Sequence, residues 1–170
     1  MTGSFWTRVD AAGRNVAPFA VTAMLILVAM VPLYLPGYGA VAPGLGLMAV
    51  YYWTIHRPDL LRPAFSFGLG VMQDLLGGTP LGSTALVYVL VCWLILTRRR
   101  FFLSTGFTML WVGFGLVVLG AAAVSWVSHS ILQVALLPVA PVLVQALLTA
   151  ALFPLFAWLF IKVHRAFLQV

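Results

Sequence analysis

The stretch from Phe101 to Ile161 contains no Lys, Arg, Asp or Glu, and no other feature constrains the fold as strongly. Soluble domains contain roughly 25% charged residues, whereas only 7% of this chain is charged and 64% is hydrophobic. We therefore expect an integral membrane protein. Because a spanning helix takes about 20 residues, 170 residues allow six spans and leave no room for a soluble domain.

The apolar runs predict an all-α bundle whose third span is short. The predicted spans cover residues 18–35, 41–55, 63–76, 83–97, 103–125 and 138–161. The third begins between Asp59, a candidate N-cap, and Pro63, which suits a first helical position, and it ends at Gly77-Gly78. At 1.5 Å per residue it measures about 21 Å, less than the roughly 30 Å apolar core of a bilayer. We expect a central position for this span and a re-entrant turn over residues 77–82, which is either covered by other protein or lines a wet cavity.

The basic residues predict the topology. With six spans, all nine Lys and Arg fall on one side of the membrane. The turns expected on the other side, at residues 36–40, 77–82 and 125–130, contain none. The positive-inside rule places the basic side, with both termini, in the cytoplasm. Since the basic residues are scattered between apolar runs, we expect no nucleic-acid binding despite the net charge of +6.

Asp74 lies within the third span, and an ionisable residue there is a functional hypothesis by default. It shares one helical face with Ser66 and Gly70, whose small size lets a neighbouring helix or ligand approach. The candidate partners of Asp74 are Ser83, Thr84, the amides of the turn and His129. Three interpretations stay open, in which Asp74 pins the turn, binds a partner or ligand, or couples a proton or ion.

Two further features have a structural and a functional interpretation. The loop that begins with Arg57 and Pro58 either anchors the topology or offers a docking surface for cytoplasmic partners or anionic lipid headgroups. Gly106, Gly113 and Gly120 recur every seven residues on the fifth span. This strip serves either internal helix packing or an interface with a partner's transmembrane helix.

The sequence offers little for catalysis. It has three carboxylates in total and no Gly-rich phosphate loop or nucleophile elbow. Its histidines, His56, His129 and His164, lie in separate segments, which makes a metal cluster improbable. We expect no enzyme activity, no cofactor and no metal.

The segment around the third span resembles the rod shape-determining protein MreD family of bacteria. The matching residues are Trp53, Arg57-Pro58, Gly68-Leu69-Gly70, Asp74-Leu75-Leu76 and Thr79-Pro80-Leu81-Gly82. The resemblance implies a multi-pass protein of the bacterial inner membrane. It also implies a fold similar to the substrate-binding subunits of energy-coupling-factor transporters.

The resemblance further implies a non-enzymatic scaffold of the elongation complex, which supports lateral peptidoglycan synthesis and cell shape. Its implied partners are MreC, a protein with one membrane span, and more widely MreB, RodA, a class B penicillin-binding protein and membrane lipids. The alternative hypothesis is a small-solute- or lipid-binding membrane subunit of a transport system. In that case Asp74 and the turn after it would close a pocket.

Overall fold

The computed structural model describes residues 18–30, 42–104, 106–133 and 138–168, and all regular secondary structure in this part of the chain is α-helical. The helices are α1 (Pro18–Ala29), α2 (Leu45–His56), α3 (Pro63–Gly77), α4 (Ser83–Ser104), α5 (Phe107–Gln133) and α6 (Val139–Leu168). The expectation of an all-α fold is confirmed for these residues. The predicted turn at 36–40 lies outside the described residues.

Helix α2 forms the centre of the bundle, since every residue from Leu45 to Ile55 is buried. Its Tyr51 ring packs against Phe114 of α5 and Phe153 of α6, with centroids 5.0 and 5.6 Å away. The Tyr51 hydroxyl donates a hydrogen bond to the Leu110 carbonyl at 2.9 Å. The expectation that the third span lies at the centre is therefore wrong, because the second helix, α2, occupies that position.

Helix α3 lies at the side of the bundle. It buries one narrow face, formed by Ser66, Leu69, Gly70 and Asp74, and exposes large apolar side chains elsewhere. Phe67 is 52% exposed and Leu75 65%. A short helix thus contacts the bundle with its small and polar residues and turns its large apolar residues outwards.

The ends of α3 follow from local chemistry. Pro63 occupies the first turn, after Arg62 at the N-cap, and the cap has no side-chain hydrogen bond. Asp59, the expected cap, instead pairs with Arg57 at 3.1 Å. At the other end Gly78 adopts a left-handed conformation with φ of 65°. Glycine adopts this conformation without steric strain, because it has no Cβ, and so it commonly ends a helix.

Helix α5 continues through the turn expected at residues 125–130 and ends at Gln133. The segment 121–130 contains no Gly or Pro that would stop a helix. Helix α4 likewise continues past the predicted boundary at 97 to Ser104. Over Phe107–Ile131 and Val139–Lys162, two helices of the described part are long and apolar enough to cross a membrane, each with a mean hydropathy of 2.1.

The outer surface of the bundle is apolar. Leu81, Leu116 and Ile131 each expose about two thirds of their surface, at 68%, 68% and 69%. Soluble monomers seldom expose apolar patches beyond a few hundred Å². Large exposed side chains on several helices match a surface that faces lipid.

Candidate functional site

Asp74 joins the end of α3 to the start of α4. Its side chain is 0% exposed, and its Oδ1 accepts a hydrogen bond from the Thr79 hydroxyl at 2.8 Å. The Gly82 amide donates to Oδ2 at 2.9 Å. The Thr84 amide donates to both oxygens, at 3.1 and 3.2 Å. We refer to Asp74 with these three donors as the Asp74 clamp.

The turn between α3 and α4 is shaped to deliver those donors. Gly82 has φ of 95°, a conformation that side-chain-bearing residues rarely adopt. The Pro80 carbonyl accepts a hydrogen bond from the Ser83 amide at 3.1 Å, while Leu81 projects outwards. The Pro80-Leu81-Gly82 sequence thus forms a tight turn whose last amide reaches the carboxylate.

Gly70 lets the two helix backbones touch. A Cβ atom at this position would lie 2.3 Å from Cα and 2.6 Å from N of Ala85, and backbone atoms cannot easily move away. Ser66 lies one turn earlier on the same buried face. The face predicted for Ser66, Gly70 and Asp74 is therefore the face that contacts α4.

Two of the partners considered for Asp74 are not used. The Ser83 hydroxyl is buried without a hydrogen-bond partner among the described residues. His129 instead donates from Nδ1 to the Ser125 carbonyl of its own helix, at 2.7 Å. The structure therefore satisfies the Asp74 carboxylate entirely from the turn and the start of α4.

Trp53, Arg57 and Pro58 lie at the opposite end of α3 from the Asp74 clamp. Trp53 is 0% exposed in the core, and Arg57 caps α2 by donating its amide to the Trp53 carbonyl at 2.7 Å. The 15 residues of α3 span about 22 Å. The residues that carry the resemblance therefore lie in the loop cluster of Trp53, Arg57 and Pro58, in the Asp74 clamp with its turn, and between these two along α3.

The loop cluster contains an exposed ion pair. The Arg57 guanidinium binds the Asp59 carboxylate through two nitrogens, at 3.1 and 3.3 Å. This hydrogen bonding, reinforced by the positive charge of Arg57, holds the pKa of Asp59 below its usual range. Asp59 therefore stays ionised at neutral pH and keeps the loop paired.

Arg99 is a structural residue that the sequence did not single out. Its Nε donates to the Ile55 carbonyl at the end of α2, at 2.9 Å, which satisfies a carbonyl that the helix leaves unpaired. The sequence indicates Arg99 only as one of the nine basic residues that predict the topology. No local pattern distinguishes Arg99 from its neighbours.

A groove of about 720 Å³ runs between α4 and α5, and we call it the α4–α5 groove. Its wall is aliphatic except for one charged residue, Arg98, and it includes Gly113 and Gly120. A Cβ atom at Gly120 would meet nothing within 4 Å. Gly106, the third member of the predicted strip, precedes α5 and does not line the groove. Gly113 and Gly120 thus both line the groove, and Gly120 faces open space.

A second cavity, of about 400 Å³, lies where the start of α4 meets the end of α5 and the start of α6. Unlike the groove it is partly polar, and we call it the polar cavity. Asp74 does not line it. The alternative hypothesis placed a pocket at Asp74 and the turn after it, and Thr79 of that turn does line the cavity. The rest of the wall could not be predicted, because it comes from five helices that are distant in the chain.

The described residues contain no group of three His, Cys, Asp or Glu side chains that could hold a metal ion. The site therefore consists of a buried structural carboxylate, an apolar groove and a polar cavity. These elements position backbone and offer surfaces for binding.

Comparison with known proteins gives one match. No curated protein and no solved structure matches the chain. The family described as rod shape-determining protein MreD matches residues 13–163. This range covers most of the 170 residues, and the chain therefore belongs to the MreD family.

Proposed function

We propose that this chain is a non-enzymatic scaffold of the bacterial elongation complex, embedded in the inner membrane as a six-span bundle, which binds MreC. Membership of the family supports a role in determining rod shape. Through MreC the scaffold would support lateral peptidoglycan synthesis, with MreB, RodA and a class B penicillin-binding protein in the wider complex. The proposal needs a surface on the bundle that accepts the single membrane span of MreC.

The α4–α5 groove carries this proposal. Helices associate in membranes chiefly by close van der Waals packing, which small residues make possible. Gly120 is exposed and has space around it, so within the described residues the strip does not serve internal packing there. The apolar wall of the groove matches the side chains of a spanning helix.

The two ends of the groove differ in charge. Arg98 lies at one end, next to Met109 near the start of α5, whereas Val87 and Val124 line the other. Under the predicted topology Arg98 lies at the cytoplasmic end. A partner helix would therefore enter with its apolar residues along Gly113 and Gly120 and a hydrogen-bond acceptor near Arg98.

Two single substitutions test this surface, Gly113→Leu and Gly120→Leu. Each adds a side chain inside the groove and should reduce recovery of MreC with the tagged chain from mildly solubilised membranes. Gly115→Leu is the matched control, since it makes the same change on the same helix. At 100° per residue Gly115 faces away from Gly113, and no atom lies within 4 Å of a Cβ there.

Unchanged recovery of MreC with both groove variants, at normal levels of the tagged chain, would exclude the groove as its docking site. An equal loss of MreC recovery with Gly115→Leu would show that leucine on this helix disturbs the bundle in general. Loss with the groove variants alone would support the scaffold and its position.

A further inference from the structure

We propose that the polar cavity binds an uncharged molecule that carries hydroxyl or amide groups on a ring. This inference goes beyond the scaffold role and does not depend on MreC. It rests on the composition of the cavity wall, on polar atoms without partners and on the way the wall is held.

The cavity wall is polar but carries no full charge. Its polar residues are Gln73, Thr79, Thr84, Tyr88, Ser125, Trp126, His129, Gln145 and Thr149. Asp, Glu, Lys and Arg are absent from the described lining. A charged ligand would lose its hydration here without gaining an opposite charge, so the wall selects a neutral molecule.

Three wall residues keep hydrogen-bonding atoms free. A carbonyl only accepts, so His129 must donate from Nδ1 to Ser125, and in the neutral form of the ring Nε2 is then an acceptor. Gln73 accepts the Tyr88 hydroxyl at Oε1 and keeps its Nε2 donor. Gln145 donates from Nε2 to the Ala42 carbonyl at 2.8 Å and keeps Oε1. These atoms have no other hydrogen bond within the described part of the chain.

Those contacts also fix the three side chains in place. A group held by one hydrogen bond loses less conformational entropy when it makes a second, which favours binding. Two acceptors and one donor thus belong to lining side chains that are each held by one hydrogen bond. This pattern suits hydroxyl and amide groups, which both donate and accept.

The rest of the wall is suited to a ring. Trp126 and Tyr88 supply aromatic surface, and Leu47, Val118 and Ala122 supply aliphatic surface. The volume of about 400 Å³ falls within the range of small-molecule sites. A ring with polar substituents would match both kinds of surface.

The Asp74 clamp builds one side of the cavity. Thr79 and Thr84 both line it, and both donate to Asp74. The carboxylate therefore positions the wall without facing the ligand. This differs from a pocket closed by Asp74 itself.

The position of the cavity gives the direction of access. It lies at the end of the bundle where α3 ends and α4 begins, the end that carries no Lys or Arg in the predicted turns. Under the predicted topology this end faces away from the cytoplasm. The molecule would therefore come from the outer side of the membrane.

Pairs of probes that differ only by a phosphate test the proposal. We would measure thermal unfolding of the purified full chain in detergent with methyl β-D-glucopyranoside or uridine, and with glucose 6-phosphate or uridine 5′-monophosphate. At least one neutral probe should raise the melting temperature in proportion to the logarithm of its concentration. Its phosphorylated counterpart should raise it less.

Substitutions then locate the binding. His129→Leu should weaken binding of the neutral probe by about tenfold, which corresponds to one lost hydrogen bond. Gln145→Leu should act in the same direction and replaces His129→Leu if that protein does not fold. Thr97→Val is the control, because Thr97 lies exposed on α4 outside the cavity and bonds only within its own helix.

The proposal is overturned if neither neutral probe shifts the melting temperature of the unmodified chain, which would indicate a water-filled cavity. It is equally overturned if the phosphorylated probes bind as well as the neutral ones, or if the cavity variants bind like Thr97→Val. Recovery of MreC by His129→Leu should stay unchanged. A failure of this inference is thereby distinguished from a failure of the scaffold proposal.

Discussion

The Thr84 amide donates to both carboxylate oxygens of Asp74, at 3.1 and 3.2 Å. Thr84 lies in the first turn of α4, where backbone amides have no partner inside the helix. The positive end of the helix dipole at this position also stabilises the negative charge of the Asp74 carboxylate. Asp74 thus caps α4 from the end of the preceding helix. The carboxylate that the sequence marks as a functional hypothesis is thus fully hydrogen-bonded by the turn and the start of α4.

Asp74→Asn should destabilise the protein by about 1–3 kcal/mol, because an amide offers one acceptor oxygen to donors that now use two. The measurement is the melting temperature in detergent. Asp59→Asn is the matched control, since it removes an exposed ion pair worth at most about 1 kcal/mol. Equal effects of the two variants would contradict the capping role.

Gly70→Ala should destabilise the protein by about 1–3 kcal/mol, because its Cβ would overlap the backbone of Ala85. Gly68→Ala is the control on the same helix, where a Cβ meets nothing within 4 Å. It should be neutral or stabilise by up to about 1 kcal/mol, since alanine favours the helix. Thermal unfolding of both variants gives the comparison, and a tolerated Gly70→Ala would disprove the close contact of α3 and α4.

The Asp59 carboxyl should titrate below the roughly 3.9 of an unfolded chain, because Arg57 lowers its pKa. The pair therefore contributes its full stability above the unfolded pKa and loses it as the pH falls through the folded value. Carbon-13 NMR of labelled aspartate can measure this, since the chain has three acidic residues. Loss of a signal in Asp59→Asn assigns the resonance of the Asp59 carboxyl, and Arg57→Gln should raise the pH at the midpoint of its titration. A midpoint unchanged in Arg57→Gln would show that the pair is not formed.

Features governed by nearby residues could be predicted from the sequence. The all-helical content follows from apolar runs. The start of α3 follows from the fixed φ of Pro63, and its end from the tolerance of Gly78 for positive φ. The face formed by Ser66, Gly70 and Asp74 follows from helical periodicity.

Other features could not be predicted from the sequence, either because a local signal was ambiguous or because the feature depends on residues distant in the chain. The expected cap at Asp59 was wrong for a local reason, because Arg57 two residues away offers it a charged partner and Arg62 occupies the N-cap. The turn expected at residues 125–130 was wrong for a local reason as well, since residues 121–130 contain no Gly or Pro that would stop a helix. Nothing near Arg99 in the chain indicates its bond to Ile55, at a separation of 44 residues. The polar cavity likewise exists only once five helices have assembled.

The short length of α3 has a consequence for the membrane itself. Its outward face, with Phe67 and Leu75, offers lipid about 22 Å of apolar helix, whereas α5 extends for about 40 Å over 27 residues. In the proposed six-span bundle, a bilayer with a core of roughly 30 Å would thin beside α3, and α5 would tilt or project. Such a protein would prefer thin or readily deformed regions of the membrane. Hydrophobic mismatch would then help to decide where in the envelope it gathers.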